Sequence, residues 1–361
     1  MKPDAIRSSF TKNLLHWNKK ENDRQMPWKG EKDPYKIWLS EIILQQTRVE
    51  QGWEYYNRFI NAFPTIEKLA NAPDEKVFKL WEGLGYYSRC KNLLSTARFI
   101  AKDKKGVFPG EYKDILTLKG VGPYTAAAIA SFAFNLSYAV LDGNVFRVLS
   151  RYFGIAEDIS STTGKKIFSS LANELLDKKR PGIYNQAIMD FGAVLCKPQN
   201  PLCTQCPLRK ECAALAKNKV GQLPVKTKQL IKRKRFFYYL VIEHKGKVYV
   251  QRRNKKDVWE YLYEFVLLER EKKYPVKEII ASSFYKRIFQ KNEVQIMAES
   301  KHYVQQLSHQ TIEGSFIHVR AKKTPVLTDY EAVPFNKLRQ LPFPRFITRY
   351  LTESGYQAFE R

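Results

Sequence analysis

The sequence is short of several things, and each shortage excludes a class of protein. No apolar run approaches the roughly 18 residues of a membrane-spanning helix. The stretch from Met1 to Lys20 mixes charges throughout and has no uninterrupted apolar segment, so no secretion signal is read, and a soluble, cytoplasmic protein is expected. Cysteine is scarce and odd in number, five in 361 residues, which does not suit a disulfide framework. Carboxylates are in deficit: 36 Asp plus Glu stand against 62 Lys plus Arg, a net charge of +26. A field of that sign favours a polyanionic partner, most simply nucleic acid, over a merely basic enzyme. Disorder is excluded from the other side, since 44% of residues are hydrophobic and 14% aromatic.

At roughly 150 residues per domain the length predicts two domains. Up to about residue 215, apolar residues recur at spacings of three and four, punctuated by Pro64, Pro73, Gly83, Gly85, Pro109, Gly120 and Gly122. Asp33-Pro34 predicts an N-cap and first turn, opening a helix that runs towards Val49. From Lys217 to Arg235 there are eight Lys or Arg and no carboxylate, the composition of a basic linker. Beyond it, Phe236 to Ile242 and Val248 to Val250 flank His244-Lys245-Gly246-Lys247 as two strands flank a hairpin turn. The expected organisation is a helical region over 1–216, a linker over 217–234 and a smaller mixed α/β domain over 235–361.

Four of the five cysteines, Cys196, Cys203, Cys206 and Cys212, form a C-x6-C-x2-C-x5-C pattern interrupted by Pro198, Pro201 and Pro207. The prolines oppose a helix and favour a loop that wraps something. Four thiolates converging in a reducing compartment point to a metal centre, either zinc or an iron–sulfur cluster, and spacing alone does not separate them. Cys90 stands apart and reads as an ordinary thiol.

The turn Leu118-Lys119-Gly120-Val121-Gly122-Pro123-Tyr124-Thr125 precedes a helical run from Ala126 to Phe134. Its glycines allow a tight turn and close approach, and the N–H groups at the following helix start suit a phosphate. Two carboxylates then sit in contrasting settings. Glu41 shares a helix face with Ile37 and Leu44, where burial would raise its pKa. Asp142 precedes the helical pattern Val145 to Tyr152, where the dipole and free N–H groups would favour its anion. One carboxyl kept as an acid and another as an anion is the division of labour of glycosidic-bond cleavage. Each residue alone reads as well as a plain N-cap or a solvated side chain.

Taken together, these motifs resemble the helix-hairpin-helix DNA glycosylase superfamily, and within it the adenine DNA glycosylases of the MutY type. The resemblance is carried by Trp38-Leu39-Ser40-Glu41, Leu44-Gln45-Gln46-Thr47, Gly83-Leu84-Gly85-Tyr86-Tyr87-Ser88-Arg89, the turn at Gly120 and Gly122, Val140-Leu141-Asp142-Gly143-Asn144-Val145 with Arg147, and the cysteine loop. It spans nearly the whole chain in the family's order. It implies a [4Fe–4S] cluster on Cys196, Cys203, Cys206 and Cys212, and hydrolysis of adenine mispaired with 8-oxoguanine or guanine in double-stranded DNA by a monomeric enzyme. Glu41 would protonate the departing adenine and help activate water, and Asp142 would stabilise the oxocarbenium-like sugar. Tyr124 and Asn144 match further active-site positions. Gln46 and Tyr86 would insert into the duplex when adenine is flipped out.

Tyr124 stands where the endonuclease III type carries the Lys that attacks the sugar. A phenol forms no Schiff base, so a monofunctional glycosylase leaving an abasic site is expected. The C-terminal region resembles a Nudix domain through Gln251-Arg252-Arg253 and Trp259 to Phe265, without the glutamate-rich helix that holds magnesium. That argues for lesion recognition and against pyrophosphate hydrolysis. Leu307-Ser308-His309 matches the family's lesion-reading loop, with Leu307 where members usually carry Phe. The competing readings are a thymine or oxidised-pyrimidine glycosylase, and a non-catalytic lesion-binding or redox-sensing protein that would leave the carboxylate pair idle.

Overall fold

The computed structural model describes residues 3–227, 232–290 and 293–354. The chain forms two compact units, one of Met1–Asn71 with Lys91–Lys228 and the other of Ala72–Cys90 with Gln229–Arg361.

The helices before the cysteine loop are α1 (Pro3–Lys20), α2 (Pro34–Leu44), α3 (Val49–Ala62), α4 (Ile66–Ala70), α5 (Asp74–Leu80), α6 (Tyr87–Asp103), α7 (Tyr112–Leu116), α8 (Pro123–Phe134), α9 (Gly143–Phe153), α10 (Thr162–Leu175) and α11 (Pro181–Val194); α12 (Ala213–Ala216) follows the loop. Local chemistry sets the starts that matter most. The Asp33 carboxylate accepts from Tyr35 N at 2.9 Å, with Pro34 in the first turn as expected. Helix α2 stops at Leu44, five residues short of Val49, because Gln46 takes a left-handed backbone (φ 56°) that breaks the helical run. Helix α8 is buried from Thr125 to Ser131, mostly alanine and serine, so its neighbours α2 and α11 approach closely. The core of this unit joins Phe10, Leu14 and Trp17 of α1 to Val145, Val148 and Leu149 of α9 and to Tyr184, Ile188 and Phe191 of α11.

The second unit is built on β1 (Arg233–His244), β2 (Lys247–Arg252), β3 (Tyr263–Glu264), β4 (Val266–Arg270), β5 (Val294–Glu299), β6 (Tyr303–Gln306), β7 (Gln310–Ala321) and β8 (Glu331–Pro334), with α13 (Val276–Ala281), α14 (Ser283–Phe289), α15 (Phe335–Leu338) and α16 (Arg345–Glu353). The expected hairpin is present: Glu243 pairs with Val248 and His244 with Lys247, and Lys245 and Gly246 both have positive φ, as a two-residue turn requires. The central pair, β1 and β7, is parallel over eleven positions from Arg233↔Gln310 to Glu243↔Arg320. Both faces of β1 are covered, which explains its nearly unbroken apolar sequence. Tyr238, Leu240 and Ile242 pack with Tyr285, Ile288 and Phe289 of α14. On the alternate positions Tyr239 lies near Phe316, and Phe316 stacks at 4.0 Å on Tyr350 of α16.

Two boundaries differ from the organisation expected of the sequence. Residues Ala72–Cys90 pack with the second unit: Phe78 stacks on Tyr261, Tyr263 Oη donates to Glu75 at 2.8 Å, and Lys79 Nζ donates to Leu341 O at 3.1 Å. Glu75 and Lys79 of α5 make two of these contacts, and Phe78 between them makes the third. The basic stretch is no free tether over 217–227 either. Leu223 is buried, Arg151 Nε donates to Leu223 O at 3.0 Å, and Ile159 N donates to Val225 O at 3.1 Å. Composition counts its lysines but cannot show that its backbone carbonyls have partners. The remainder of that stretch, 228–231, lies outside the described residues, and the second domain's first strand begins at Arg233.

One close approach underlies the parallel pair. A Cβ on Gly314 would stand 1.8 Å from Phe237 O, its register partner. Gly314→Ala is therefore expected to destabilise the protein by about 3 kcal/mol or more, the upper end of overpacking costs, in chemical denaturation. A change under about 1 kcal/mol would mean that β1 and β7 slide apart freely.

Candidate active site

The helical unit brings together the two carboxylates that the sequence singled out. Glu41, 5% exposed, projects from α2 among Ile37, Ile42 and Ile43. Burial pushes its pKa up to about 7, the nearby Asp142 charge adds to the rise, and a hydrogen bond from Tyr124 opposes it. The Tyr124 hydroxyl, from the first turn of α8, has its own pKa pushed well above the usual phenol value by burial and by the Glu41 charge. It stays protonated and serves as a donor.

Asp142 caps α9 as expected: Val145 N donates to its Oδ1 at 2.8 Å and Asn144 Nδ2 to its Oδ2 at 2.8 Å. Its pKa is nevertheless raised, contrary to the expectation from the helix dipole, because burial outweighs the cap, the Asn144 contacts and the Arg147 charge. The contrast between the two carboxyls therefore lies in how each anion is supported. Asp142 accepts two hydrogen bonds and faces a guanidinium; for Glu41 the supporting donor is a single phenol.

The support extends along α9. Arg147 Nη2 donates to Asn144 Oδ1 at 2.7 Å and to Gly192 O at 2.8 Å, and Arg147 Nε donates to Cys196 O at 2.7 Å. One turn on, Arg151 Nη1 lies 3.5 Å from Cys196 Sγ and 2.7 Å from Lys197 O. Cys196, Cys203, Cys206 and Cys212 line one pocket, whose remaining walls include Leu195, Pro201, Leu202 and Leu215. Burial raises the Cys206 thiol to about 12, and the other three sulfurs add to it, so all four sense one another. Among the described residues no group of three or more His, Cys, Asp or Glu closes on a single-ion geometry. A shared apolar pocket of four thiols with a guanidinium alongside suits an anionic thiolate-bound centre. Cys90 lies elsewhere and is fully buried.

A cavity of about 210 Å³ opens beside Glu41. Trp28, Lys29, Ile37, Ser40, Phe132 and Gln186 are among its walls. Trp28, Lys29 and Gln186 escaped sequence reasoning; Met26-Pro27-Trp28 carries no periodic pattern, and Gln186 looks like any polar position on α11. Arg147 stood out only as part of a motif, not as a support for Asn144.

The turn before α8 is as tight as expected. Gly120 has φ 81°, and a Cβ there would meet Asn92 Cβ at 2.9 Å; Gly122 caps α8. Gln45 Nε2 donates to Gly120 O at 3.3 Å. Gln46 sits in the same unit, immediately beyond α2. Tyr86, Leu307, Ser308 and His309 belong to the other unit. There the Tyr86 and Ser308 hydroxyls are in contact, and Leu307 N donates to Gln310 O at 2.8 Å, closing a tight loop between β6 and β7. His309 is exposed. Gln46 (φ 56°) and Tyr86 (φ 47°), the two residues expected to enter the duplex, both hold left-handed backbones that cost a non-glycine residue about 1–2 kcal/mol. Such strain gathers at functional positions.

A family model described as HhH-GPD superfamily base excision DNA repair protein matches residues 39–174, and one described as NUDIX domain matches 237–353. The adenine DNA glycosylase of Buchnera aphidicola subsp. Baizongia pistaciae is 32% identical over 348 residues, covering 95% of this chain and 96% of that protein. The chain belongs to the adenine DNA glycosylase family. It is a base-excision repair enzyme with a helix-hairpin-helix glycosylase unit and a Nudix-like, sheet-containing unit. The adenine DNA glycosylase of Mus musculus is 41% identical over 225 residues, 60% of this chain and 44% of its own length. Among solved structures, a thermostable thymine-DNA glycosylase is similar with a TM-score of 0.56 and 30% identity, over 60% of this chain and all of that one. A non-covalent endonuclease III–DNA complex matches with a TM-score of 0.51 over 60% of this chain and 98% of that one, and at 19% identity it speaks for the fold alone.

Burying Glu41 has a stability cost whose sign is fixed. Its folded pKa, about 7, exceeds the ordinary 4.5, so the folded state holds the proton more tightly and stability falls as pH rises between those values. Glu41→Gln should therefore be more stable than the parent, the gap opening from about pH 4.5 and reaching on the order of 3 kcal/mol above pH 7. Denaturant titrations from pH 4 to 8 test this; parallel curves would mean that Glu41 is not held as an acid.

Proposed function

We propose that this enzyme hydrolyses the N-glycosidic bond of adenine paired with 8-oxoguanine or guanine in duplex DNA, leaving an abasic site without cutting the strand. The observation that carries this reading is the buried Glu41, an acid still substantially protonated near neutral pH, beside a base-sized cavity and a capped, anion-supporting Asp142. The similarity of the whole chain to an adenine glycosylase supports the choice of base, whereas the thymine-DNA glycosylase structure covers 60% of the chain.

The chemistry follows from the groups present. The target nucleotide must leave the stack for its glycosidic bond to be reached, and the cavity beside Glu41 receives the base. Protonated Glu41 donates its proton to a ring nitrogen of adenine. The C1′–N9 electron pair departs with the base, and the Asp142 carboxylate faces the positive charge that develops on the sugar. Glu41, now an anion, accepts a proton from the water that adds to C1′. Tyr124 holds Glu41 by donation, and Asn144 holds Asp142. A phenol in place of a lysine at the hairpin provides no amine for a Schiff base, hence the monofunctional outcome.

The duplex backbone is taken by the turn at Gly120 and Gly122 and the N–H groups at the start of α8. Gln46 and Tyr86 enter the stack. Ser308 and His309, with Leu307 beside them, read 8-oxoguanine by hydrogen bonding. The +26 charge supports binding of the polyanion. Cys196, Cys203, Cys206 and Cys212 would hold a [4Fe–4S] cluster, which when bound ties the loop together and adds a redox-active centre. Protein loaded this way absorbs broadly in the visible, and a colourless zinc-loaded protein would overturn the assignment. The enzyme acts as a monomer in the cytoplasm; no described helix is long and apolar enough to cross a membrane.

Single-turnover assays on duplexes with adenine opposite 8-oxoguanine, guanine and thymine should show cleavage only after alkali, fastest opposite 8-oxoguanine. The excision rate should fall about tenfold per pH unit above about pH 7 as Glu41 loses its proton. Glu41→Gln should bind the lesion yet lose excision by several orders of magnitude. Efficient borohydride trapping of a protein–DNA adduct would contradict the monofunctional mechanism.

Combining Ser308→Ala with His309→Ala should lower the preference for 8-oxoguanine over guanine opposite adenine. An equal loss on both duplexes would assign these residues to folding or general DNA binding.

A further inference from the structure

Arg89, in the first turn of α6, is a buried arginine whose guanidinium reaches two aromatic rings. Its Cζ stands 5.1 Å from the ring centre of Trp81 and 5.6 Å from that of Tyr86. Trp81, which ends α5, is fully buried, whereas Tyr86 is 40% exposed. The guanidinium therefore links a ring fixed in the interior to a ring presented to solvent. The turn that joins the two rings contains three left-handed residues, Gly83 (φ 92°), Gly85 (φ 77°) and Tyr86 (φ 47°). Trp81 Nε1 donates to Gly85 O at 2.9 Å, and Arg89 Nη2 donates to the same carbonyl at 3.4 Å and to Leu84 O at 3.5 Å. Arg89 N donates to Tyr86 O at 2.9 Å. Trp81 and Arg89 thus hold the backbone of the turn as well as its aromatic ring, within a segment that belongs to the second unit.

A surface tyrosine turns about its two side-chain torsions, and immobilising it in a base stack costs entropy at the moment of binding. A ring already held on one face by a cation has lost that freedom beforehand. Burial brings the Arg89 pKa down to about 10, so the group is still charged at neutral pH, and a cation withdrawn from water attracts a ring face more strongly than an exposed one. The flat, weakly hydrated guanidinium also stacks on aromatic faces, which an ammonium does not. We propose that Arg89 is a positioning residue for Tyr86: it fixes the tilt and depth at which the ring enters the duplex, and contributes to excision through that ring. This rests on the reading above in which Tyr86 enters the base stack, and names the group that aims it.

The test is a double-mutant cycle on the full-length, metal-loaded protein. Arg89→Met removes the charge and the planar head, and Arg89→Lys keeps the charge alone. One readout is single-turnover excision of adenine opposite 8-oxoguanine. The other uses a duplex whose adenosine carries an uncleavable 2′-fluoro sugar, with 2-aminopurine beside the 8-oxoguanine; its fluorescence change on binding reports unstacking and needs no excision. Arg89→Met should slow excision by about tenfold or more and move the fluorescence change towards that of Tyr86→Leu, with Arg89→Lys falling between parent and Arg89→Met. In Tyr86→Leu protein the same Arg89→Met change should cost less than about twofold. The inference is overturned if the two losses multiply in the double variant, if both Arg89 variants keep the parent's fluorescence change, or if neither folds, which would make Arg89 structural. Parent-like fluorescence and excision in Tyr86→Leu overturns the reading of Tyr86 as an inserting residue. A large loss in Tyr86→Leu with an independent loss in Arg89→Met overturns this inference alone.

Discussion

A carboxyl group buried against its own charge is the constraint around which the helical unit is arranged. Glu41 keeps its proton up to near neutral pH because the aliphatic flank of α2 and the close packing of α8 bury it. That packing depends on alanine and serine along α8, since larger side chains would hold the helices apart. The same burial that raises the Glu41 pKa also raises that of Asp142, and it would neutralise both groups if nothing distinguished them. The distinction is made by hydrogen bonds: a helix N-terminus, an amide and a guanidinium for Asp142, a phenol for Glu41. Burying an ionisable group in this way gives up stability, an arrangement common at enzyme active sites.

Helix α9 serves two ends of the unit. Its N-terminus carries the Asp142 carboxylate, and the arginines of its next two turns face the loop that follows α11. Arg147 holds the Asn144 amide with one nitrogen and the Cys196 carbonyl with another, so the orientation of the Asp142 partner and the path of the cysteine loop share one side chain. Arg151 fixes the loop at Lys197 and lies against a cysteine sulfur. A bound anionic centre there would find a guanidinium already in place.

The second unit is held differently. A parallel pair of long strands, covered on both faces, gives it an aromatic core, and a dense set of ion pairs closes one part of it. Arg235 bonds Asp257 and Glu269, while Arg253 bonds Asp257 and Glu264. Burial of Glu264 raises its pKa despite Arg253, whereas Asp257 and Glu269 at the other side of the network remain partly exposed. Segment Ala72–Cys90 adds Tyr86 to this unit, next to Ser308. Tyr86 and Ser308 are therefore neighbours in space although 222 positions apart in sequence.

Sequence alone determined the element types, the two carboxylates, the cysteine loop, the hairpin turn and the family, because these are carried by local signals: caps, glycines, periodicity and fixed spacings. Asp33, Gly122 and Asp142 do in the structure what their residue types and neighbours dictate. Only tertiary structure decided the rest. That α2 ends at Leu44, that Asp142 is raised and not lowered, that residues 72–90 side with the sheet and that 217–227 is anchored all depend on burial and on partners distant in the chain. Trp28 and Gln186 carry no local signature, since a cavity is made by surfaces from separate segments meeting. A pKa, likewise, is set by the water a fold excludes, and no single stretch of sequence records that.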